Sequence, residues 1–160
     1  MKLYLAGPLG FSEAGRHYHD KVLRHNLQAL GFELLDPWHT GDEIIKRNSS
    51  SKPAGDDIAR LNTLNTELAR TNVALLKDCD AIVAVLDGPD VDSGTAAEIG
   101  YGYSIGKTIY GYRGDLRASG ENAATLINLQ VAYFITESGG CICTSLDALL
   151  SRLKKGAGIG

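Results

Sequence analysis

The hydrophobic and polar positions along the chain follow two periods, one typical of buried strands and the other of amphipathic helices. Short apolar runs predict strands at residues 2–6, 32–35, 81–86 and 108–112. Apolar side chains at helical spacing predict helices at residues 12–30, 56–77, 95–105 and 145–153. The run at 81–86 is apolar at every position, which indicates a strand that is covered on both faces.

The remaining segments carry weaker signals. A short helix is predicted at 41–46 and a helical turn at 123–129, while the apolar runs at 131–136 and 141–144 suggest strands. Residues 48–55, with the sequence NSSSKPAG, are polar and rich in residues that interrupt helices and strands. We therefore expect an exposed loop there, and a candidate lid over a binding site.

Strands that alternate with helices predict right-handed crossovers and a parallel sheet. We expect one α/β domain over residues 1–160, with a five-stranded flavodoxin-like (Rossmann-like) parallel sheet and helices on both faces. Ligands of such folds bind at the carboxyl ends of the strands. The expected site therefore lies in the loops after Ala6, Leu86 and Tyr112.

Composition agrees with one globular domain and narrows the class of ligand. The chain has 160 residues, of which 44% are hydrophobic and 22% charged, and its net charge is -3. Polymeric nucleic acid is disfavoured, because its binding needs clustered Lys and Arg. No apolar run reaches the roughly 20 residues that span a bilayer, and the first residues lack a secretion signal. We expect a cytoplasmic location without membrane contact.

Metal and cofactor sites are not expected. The three cysteines, Cys79, Cys141 and Cys143, are not spaced like the ligands of a zinc site, so reduced thiols are the simplest interpretation. The acidic segment that follows residue 86 lacks the pattern of a calcium-binding loop.

Four acidic side chains follow the central strand in quick succession. Asp87, Asp90 and Asp92 lie in the loop, and Glu98 is expected in the first turn of the next helix. Like charges that lie close together raise at least one pKa, whereas a helix N-terminus favours the ionised form. Neighbouring acids in this segment are therefore able to hold opposite protonation states, as a proton donor and a nucleophile must.

Structural interpretations of the same residues stay open at this point. Thr95 and Glu98 have the spacing of a capping box, in which each side chain would bind the other residue's backbone amide. Asp92 is suited to shaping the loop through a local turn, and Asp87 and Asp90 to being solvated.

Four stretches of the sequence resemble the nucleoside 2-deoxyribosyltransferase family. They are Leu3-Tyr4-Leu5-Ala6-Gly7-Pro8, Lys77-Asp78-Cys79-Asp80-Ala81-Ile82-Val83, Asp92-Ser93-Gly94-Thr95-Ala96-Ala97-Glu98-Ile99-Gly100-Tyr101, and Ile127-Asn128-Leu129. The third is the most specific, because it matches the family's active-site signature after an apolar strand.

The resemblance implies a retaining double displacement on a 2'-deoxynucleoside. Glu98 would be the nucleophile that forms a covalent glycosyl-enzyme, and Asp92 or a neighbour would protonate the departing base. Tyr4 would contact the nucleophile. The implied partners are small deoxynucleosides and free nucleobases, with no cofactor.

The resemblance also implies residues that bind the substrate. Phe11 would cover the base, and Asn128 would reach the sugar of a neighbouring subunit's site, which implies a homo-oligomer built from dimers, up to a hexamer. Asn72 stands where relatives have an aspartate that contacts the base. The substrate-binding set is completed by the loop residues Gly7, Asp87 and Ser93.

Two other functions remain as alternatives. A 5'-monophosphate N-glycosidase would use the same Glu98 and would need a phosphate cradle between Gly7 and Arg16 together with Ser93. A non-catalytic nucleotide-binding module would use Glu98 only as a helix cap. The charged loop 113–117 is interpreted either as a variable loop over the pocket or as solvated surface.

Overall fold

A computed structural model of the chain describes residues 1–48 and 58–159. Five parallel strands form one sheet in the order β2-β1-β3-β4-β5. They are β1 (Lys2–Ala6), β2 (Glu33–Leu35), β3 (Ala81–Val85), β4 (Thr108–Tyr112) and β5 (Cys141–Cys143). The expected five-stranded flavodoxin-like sheet is thereby confirmed.

Helices cover both faces of the sheet. They are α1 (Glu13–Tyr18), which continues through a π-helical turn (His19–Leu23) into α2 (Arg24–Ala29), then α3 (Pro37–Asn48), α4 (Ile58–Asp78), α5 (Ser93–Ser104), α6 (Leu129–Glu137) and α7 (Leu146–Gly156). Among the described residues, no helix is both long and apolar enough to cross a membrane.

The sheet separates two apolar layers, because successive side chains of a strand point to opposite faces. One layer packs alternate residues of β1 and β3 against α4, α5 and α6, and includes Tyr4, Ala6, Leu76, Ile82, Ile99 and Ile135. The other layer packs the intervening residues against α2 and α7, and includes Leu3, Leu5, Leu27, Val83, Leu149 and Leu153. Strands β1 and β3 lie at the centre of both layers, which fixes Tyr4 beside Ile82.

The predicted strand at 131–136 is wrong, because these residues belong to helix α6. Their β-branched and aromatic composition is typical of strands. The buried side chains, however, are Val131 and Ile135, which are four residues apart and therefore share one face of a helix. The predicted turn at 123–129 is irregular instead, and α6 begins only after Asn128 caps it.

Helix α3 is longer than the short helix predicted at 41–46. It begins at Pro37, a residue that suits the first helical position because its missing N–H has no intrahelical partner there. Asp36 accepts a hydrogen bond from the backbone N–H of Trp38 at 3.0 Å and so satisfies one free donor of the first turn. Of the candidate lid at 48–55, only Asn48 belongs to the described residues, and it ends α3.

Candidate active site

A cleft of about 210 Å³ opens at the carboxyl ends of β1 and β2, beside the first half of α5. It is lined by Gly7, Phe11, Pro37, Trp38, Asn72, Asp92, Gly94, Thr95 and Glu98. The loops after β1 and β3 therefore contribute as expected. Within the described residues, the loop after Tyr112 does not line the cleft, and the segment after β2 takes its place.

Glu98 lines the cleft, and the buried Tyr4 lies behind it as its hydrogen-bond partner. Tyr4 is fully buried in β1, and its hydroxyl donates to Glu98 Oε1 at 2.5 Å. Burial raises the pKa of Glu98 to about 7, because it disfavours the charged form; the hydrogen bond from Tyr4 opposes this rise, and the charge of Asp92 adds to it. Burial also raises the pKa of Tyr4, so this phenol remains a proton donor to the carboxylate.

Glu98 is not part of a capping box. Helix α5 begins at Ser93 rather than Thr95, and its N-cap is Asp92, whose Oδ2 accepts from Thr95 N at 2.9 Å and from Thr95 Oγ1 at 3.0 Å. Glu98 is the sixth residue of the helix and lies in its second turn, not in the first as expected. The field of a helix terminus fades within one turn, so burial rather than the helix dipole sets the pKa of Glu98.

Asp92 combines a structural bond with exposure to the cleft. Its cap bonds use Oδ2, and Oδ1 accepts no hydrogen bond from the described residues. The cap therefore fixes the position of the carboxylate while one oxygen is left for a ligand. The two acids of the cleft, Asp92 and Glu98, are both on the segment that follows β3.

Two aromatic rings form the outer wall of the cleft. Phe11 is 75% exposed and meets Trp38 edge to face, with ring centroids 4.7 Å apart. Trp38 Nε1 donates to the carbonyl of Gly7 at 3.0 Å. A side chain at Gly7 would place its Cβ 2.9 Å from Val85 Cβ, so the close packing of β1 on β3 requires glycine here.

Trp38 is the residue that sequence reasoning missed. A signal for it was present, because Trp38 directly follows Asp36-Pro37 at the end of a predicted strand, where ligands of this fold class bind.

The other predicted binding residues are divided between the cleft and structural positions. Asn72, on α4, lines the cleft. Ser93 is exposed at the start of α5 and is not among the lining residues. Asn128 is the N-cap of α6, where it accepts from the amides of residues 130 and 131 and donates to Glu121 at 2.7 Å. Within one described chain, Asn128 does not reach the cleft.

Asp87 connects the loop after β3 to the loop after β4 by hydrogen bonds and is not among the residues that line the cleft. Its Oδ1 accepts from Gly114 N at 2.6 Å and from Asp115 N at 2.9 Å. Arg113 completes the link in the other direction by donating to the carbonyls of residues 86, 88 and 117. Arg113 is only 1% exposed, so its assignment to a solvated surface is wrong.

Metal ligation has no support in the described part of the chain, where no three His, Cys, Asp or Glu side chains gather around one point. All three cysteines are free thiols, and the Sγ atoms of Cys141 and Cys143 are 3.7 Å apart.

Comparison with known proteins connects this site to one family. Residues 3–130 match the family model described as nucleoside 2-deoxyribosyltransferase. Among solved structures, a conserved protein from Enterococcus faecalis V583 is 28% identical, with a TM-score of 0.66 and an alignment that covers 98% of each chain. No curated protein sequence matches the chain.

Two further structures are similar in fold. A 2-desoxiribosyltransferase from Leishmania mexicana is 22% identical, with a TM-score of 0.64, and the alignment covers 96% of this chain and 97% of that one. A CMP N-glycosidase from Clostridium botulinum is 19% identical, with a TM-score of 0.58 and coverage of 98% and 99%. The fold is thus found in proteins that transfer a deoxyribosyl group and in one that hydrolyses a nucleotide.

Proposed function

Because the chain belongs to the nucleoside 2-deoxyribosyltransferase family, we propose that it exchanges the nucleobases of 2'-deoxynucleosides through a covalent intermediate on Glu98. Members of this family are enzymes that act on N-glycosidic bonds. The observation that carries the proposal is the pair formed by Glu98 and Tyr4, in which a half-buried carboxylate that lines the cleft accepts a hydrogen bond at 2.5 Å from a fully buried phenol.

The reaction consists of two displacements at the anomeric carbon. In the first, a Glu98 carboxylate oxygen bonds to that carbon, the bond to the base nitrogen breaks, and the departing base takes up a proton that Asp92 relays from solvent. In the second, the nitrogen of another base displaces Glu98 and returns its proton to Asp92. Two inversions give net retention, as in retaining glycosidases.

The pKa of about 7 supports this role for Glu98. At neutral pH about half of the free enzyme holds the ionised nucleophile. Tyr4 donates to one oxygen of the carboxylate and thereby orients the other toward the cleft. The carboxylate is half-buried, so part of the water around it is already excluded before it attacks.

The lining of the cleft favours a nucleoside over a nucleotide. Among the described residues, the lining contains two carboxylates and no cationic side chain. The negative charge of the carboxylates would repel a phosphate. Arg16, the residue that a phosphate cradle would use, donates from Nε to the carbonyl of Gly10 at 2.6 Å and lines a separate small cavity. The 5'-monophosphate N-glycosidase stays the second candidate because one protein of this fold hydrolyses CMP.

We further propose that a second copy of the chain completes the site through Asn128. The residues next to this cap expose apolar surface, with Leu129 at 49% and Tyr133 at 52% exposure. A self-complementary dimer would cover these side chains and bring Asn128 to a neighbouring cleft. Replacing Tyr133 with Asp is expected to shift the protein toward monomers in analytical ultracentrifugation and to lower activity. A dimeric Y133D protein with full activity would contradict this arrangement.

The decisive experiment is incubation with deoxyinosine, with and without adenine, followed by chromatography. Transfer predicts that deoxyadenosine appears when adenine is present. Hypoxanthine released at the same rate with or without adenine would indicate hydrolysis, and parallel assays with deoxynucleoside monophosphates would reveal a nucleotide substrate. No reaction with any of these substrates would favour the non-catalytic binding module.

Glu98→Ala is the companion variant, with Asp90→Asn as its matched control, since Asp90 is an exposed acid of the same loop region and does not line the cleft. We expect E98A to lose nearly all turnover with its fold intact, and D90N to keep it. A mechanism-based fluorinated deoxynucleoside should label the peptide that contains Glu98. A label on another residue would refute the assignment of the nucleophile.

A further inference from the structure

A buried group of charged side chains lies behind the aromatic wall of the cleft. Asp36 is 3% exposed, and its Oδ2 lies 2.8 Å from His19 Nε2 and 2.9 Å from Arg24 Nε. Burial opposes ionisation, yet His19, His39 and Arg24 together hold the pKa of Asp36 below its ordinary value. Asp36 is therefore a buried carboxylate that stays charged, and none of the catalytic steps uses it.

The π-helical turn explains why the side chains of His19 and Arg24 both reach one carboxylate. His19 and Arg24 are five residues apart, which in an α-helix would place them about 140° apart around the axis. In the π-helical turn, the backbone N–H of Arg24 instead donates to the carbonyl of His19. This wider turn brings side chains that are five residues apart closer to the same face of the helix. This local irregularity brings both side chains to Asp36.

Asp36 is connected to the cleft through Trp38. Asp36 Oδ1 accepts from Trp38 N at 3.0 Å, which fixes the backbone of this residue at the start of α3. At its other end the indole donates from Nε1 to the carbonyl of Gly7 at 3.0 Å. The ring lies over Gly10, where a Cβ would come within 2.1 Å of the indole. Trp38 is thus held at its backbone, its nitrogen and its ring face.

We propose that Asp36 is a positioning residue for substrate binding: with His19 and Arg24 it holds Trp38 as the wall against which the nucleobase packs. This inference rests on the proposed function. A network kept for stability alone would be a poor solution, because buried ion pairs are often no more stable than apolar residues of similar volume. Here the carboxylate that contacts both His19 and Arg24 also accepts a hydrogen bond from the backbone amide of Trp38.

The position of the wall affects binding more than bond cleavage. A base that packs against Trp38 does so both before and during the displacement at the anomeric carbon. Loss of such an interaction raises KM and leaves kcat nearly unchanged. Stacking of a base on an aromatic side chain is strong enough that a misplaced wall should cost about tenfold in KM.

The test compares Asp36→Asn with Asp20→Asn. Asp20 belongs to the same polar group, where its Oδ1 lies 3.0 Å from His39 Nε2 and 3.7 Å from Arg24 Nη1, but in the described part of the chain it forms no hydrogen bond with Trp38. Trp38 is the only tryptophan of the chain, so the intrinsic fluorescence reports its surroundings directly. The emission spectrum, its quenching by added adenine, and the values of kcat and KM for deoxyinosine would be measured for both variants and the unaltered protein.

We expect D36N to shift the emission of Trp38 to the red, to weaken quenching by adenine about tenfold, and to raise KM by a similar factor while kcat changes less than about threefold. D20N should match the unaltered protein. Unchanged emission and unchanged adenine affinity in D36N would overturn the inference, as would equal effects in D20N.

Two features keep this test separate from the proposed function. Emission and adenine quenching require no turnover, so they report on the wall even if the chain cleaves no nucleoside. If circular dichroism shows that D36N does not fold, His19→Gln is the second variant, because it retains a donor toward Asp36 but weakens the charge pair. H19Q should give a smaller change in the same direction, and no change in emission or adenine affinity would again refute the positioning role.

Discussion

Removal of the Tyr4 hydroxyl should move the pH dependence of the reaction to higher pH. The Tyr4→Phe variant lacks only the group that donates to Glu98 at 2.5 Å. A hydrogen bond to a charged group contributes about 1.5–3 kcal/mol, and 1.36 kcal/mol corresponds to one pKa unit. Because this bond stabilises the ionised form, its loss should raise the pKa of Glu98 from about 7 to about 8–9.

The assay is the pH profile of kcat/KM, which reports the groups that titrate in the free enzyme. Activity of the unaltered protein should rise with pH around 7, as Glu98 ionises, and the rise in Y4F should lie about one to two pH units higher. Near pH 6 the variant should therefore lose about ten- to a hundredfold, with much of the loss recovered at high pH. An acid limb at the same or lower pH in Y4F would refute the reasoning.

Tyr18→Phe is the matched control for this profile. It removes the hydroxyl of a half-buried tyrosine, which lies 2.9 Å from the hydroxyl of Tyr112, but it leaves the hydrogen bond from Tyr4 to Glu98 in place. Its profile should coincide with that of the unaltered protein.

Three further predictions concern stability. Glu98 has a raised pKa in the fold, so its neutral form stabilises the protein fully below the ordinary value of 4.5, and this contribution is lost as pH rises through about 7. At 1.36 kcal/mol per pKa unit the loss is about 3 kcal/mol, so Glu98→Gln should gain several degrees in Tm over the unaltered protein at pH 8 but little at pH 5; a gap independent of pH would contradict this. Gly7→Ala should lower the free energy of unfolding by about 1–3 kcal/mol in urea titrations, because its Cβ would meet Val85 at 2.9 Å. Asp87→Ala should cost about 1–3 kcal/mol, since two loop amides lose their acceptor, whereas a fully solvated Asp87 would give no change.

The hydrophobic pattern of the sequence was sufficient to predict the sheet, because its central strands are buried on both faces. Strand β3 is buried at all five positions, and such a continuous apolar run has few other interpretations in a chain with intervening helices. The strand predicted at 131–136, which is part of helix α6, is wrong because composition alone does not determine its form. The composition of α6 is typical of strands. Its helical form depends on packing against the sheet and α5, which buries Val131 and Ile135 on one face of the helix.

Site residues could be predicted where the chemistry is local to a motif. The segment from Asp92 to Glu98 and the strand that holds Tyr4 were both recognisable, and the structure brings them to one cleft. No local motif identified Trp38 as a residue of the cleft. Its position depends on the hydrogen bond from Nε1 to the carbonyl of Gly7, which lies 31 positions earlier in the chain. The predicted capping box is wrong because the N-cap of helix α5 is Asp92, three residues before Thr95.

A nucleophile with a pKa near 7 suits a reaction that must run in both directions. In the proposed exchange, Glu98 attacks the anomeric carbon in one step and must leave it in the next. A higher pKa makes a carboxylate a better nucleophile but a poorer leaving group, and it lowers the ionised fraction at neutral pH. Burial and, to a lesser extent, the charge of Asp92 raise the pKa of Glu98, and the hydrogen bond from Tyr4 lowers it again. We infer that the hydrogen bond from Tyr4 to Glu98 keeps the carboxylate reactive in both steps. In the Tyr4→Phe variant, release of the sugar from Glu98 should therefore be slower even at high pH, where Glu98 is again ionised for attack.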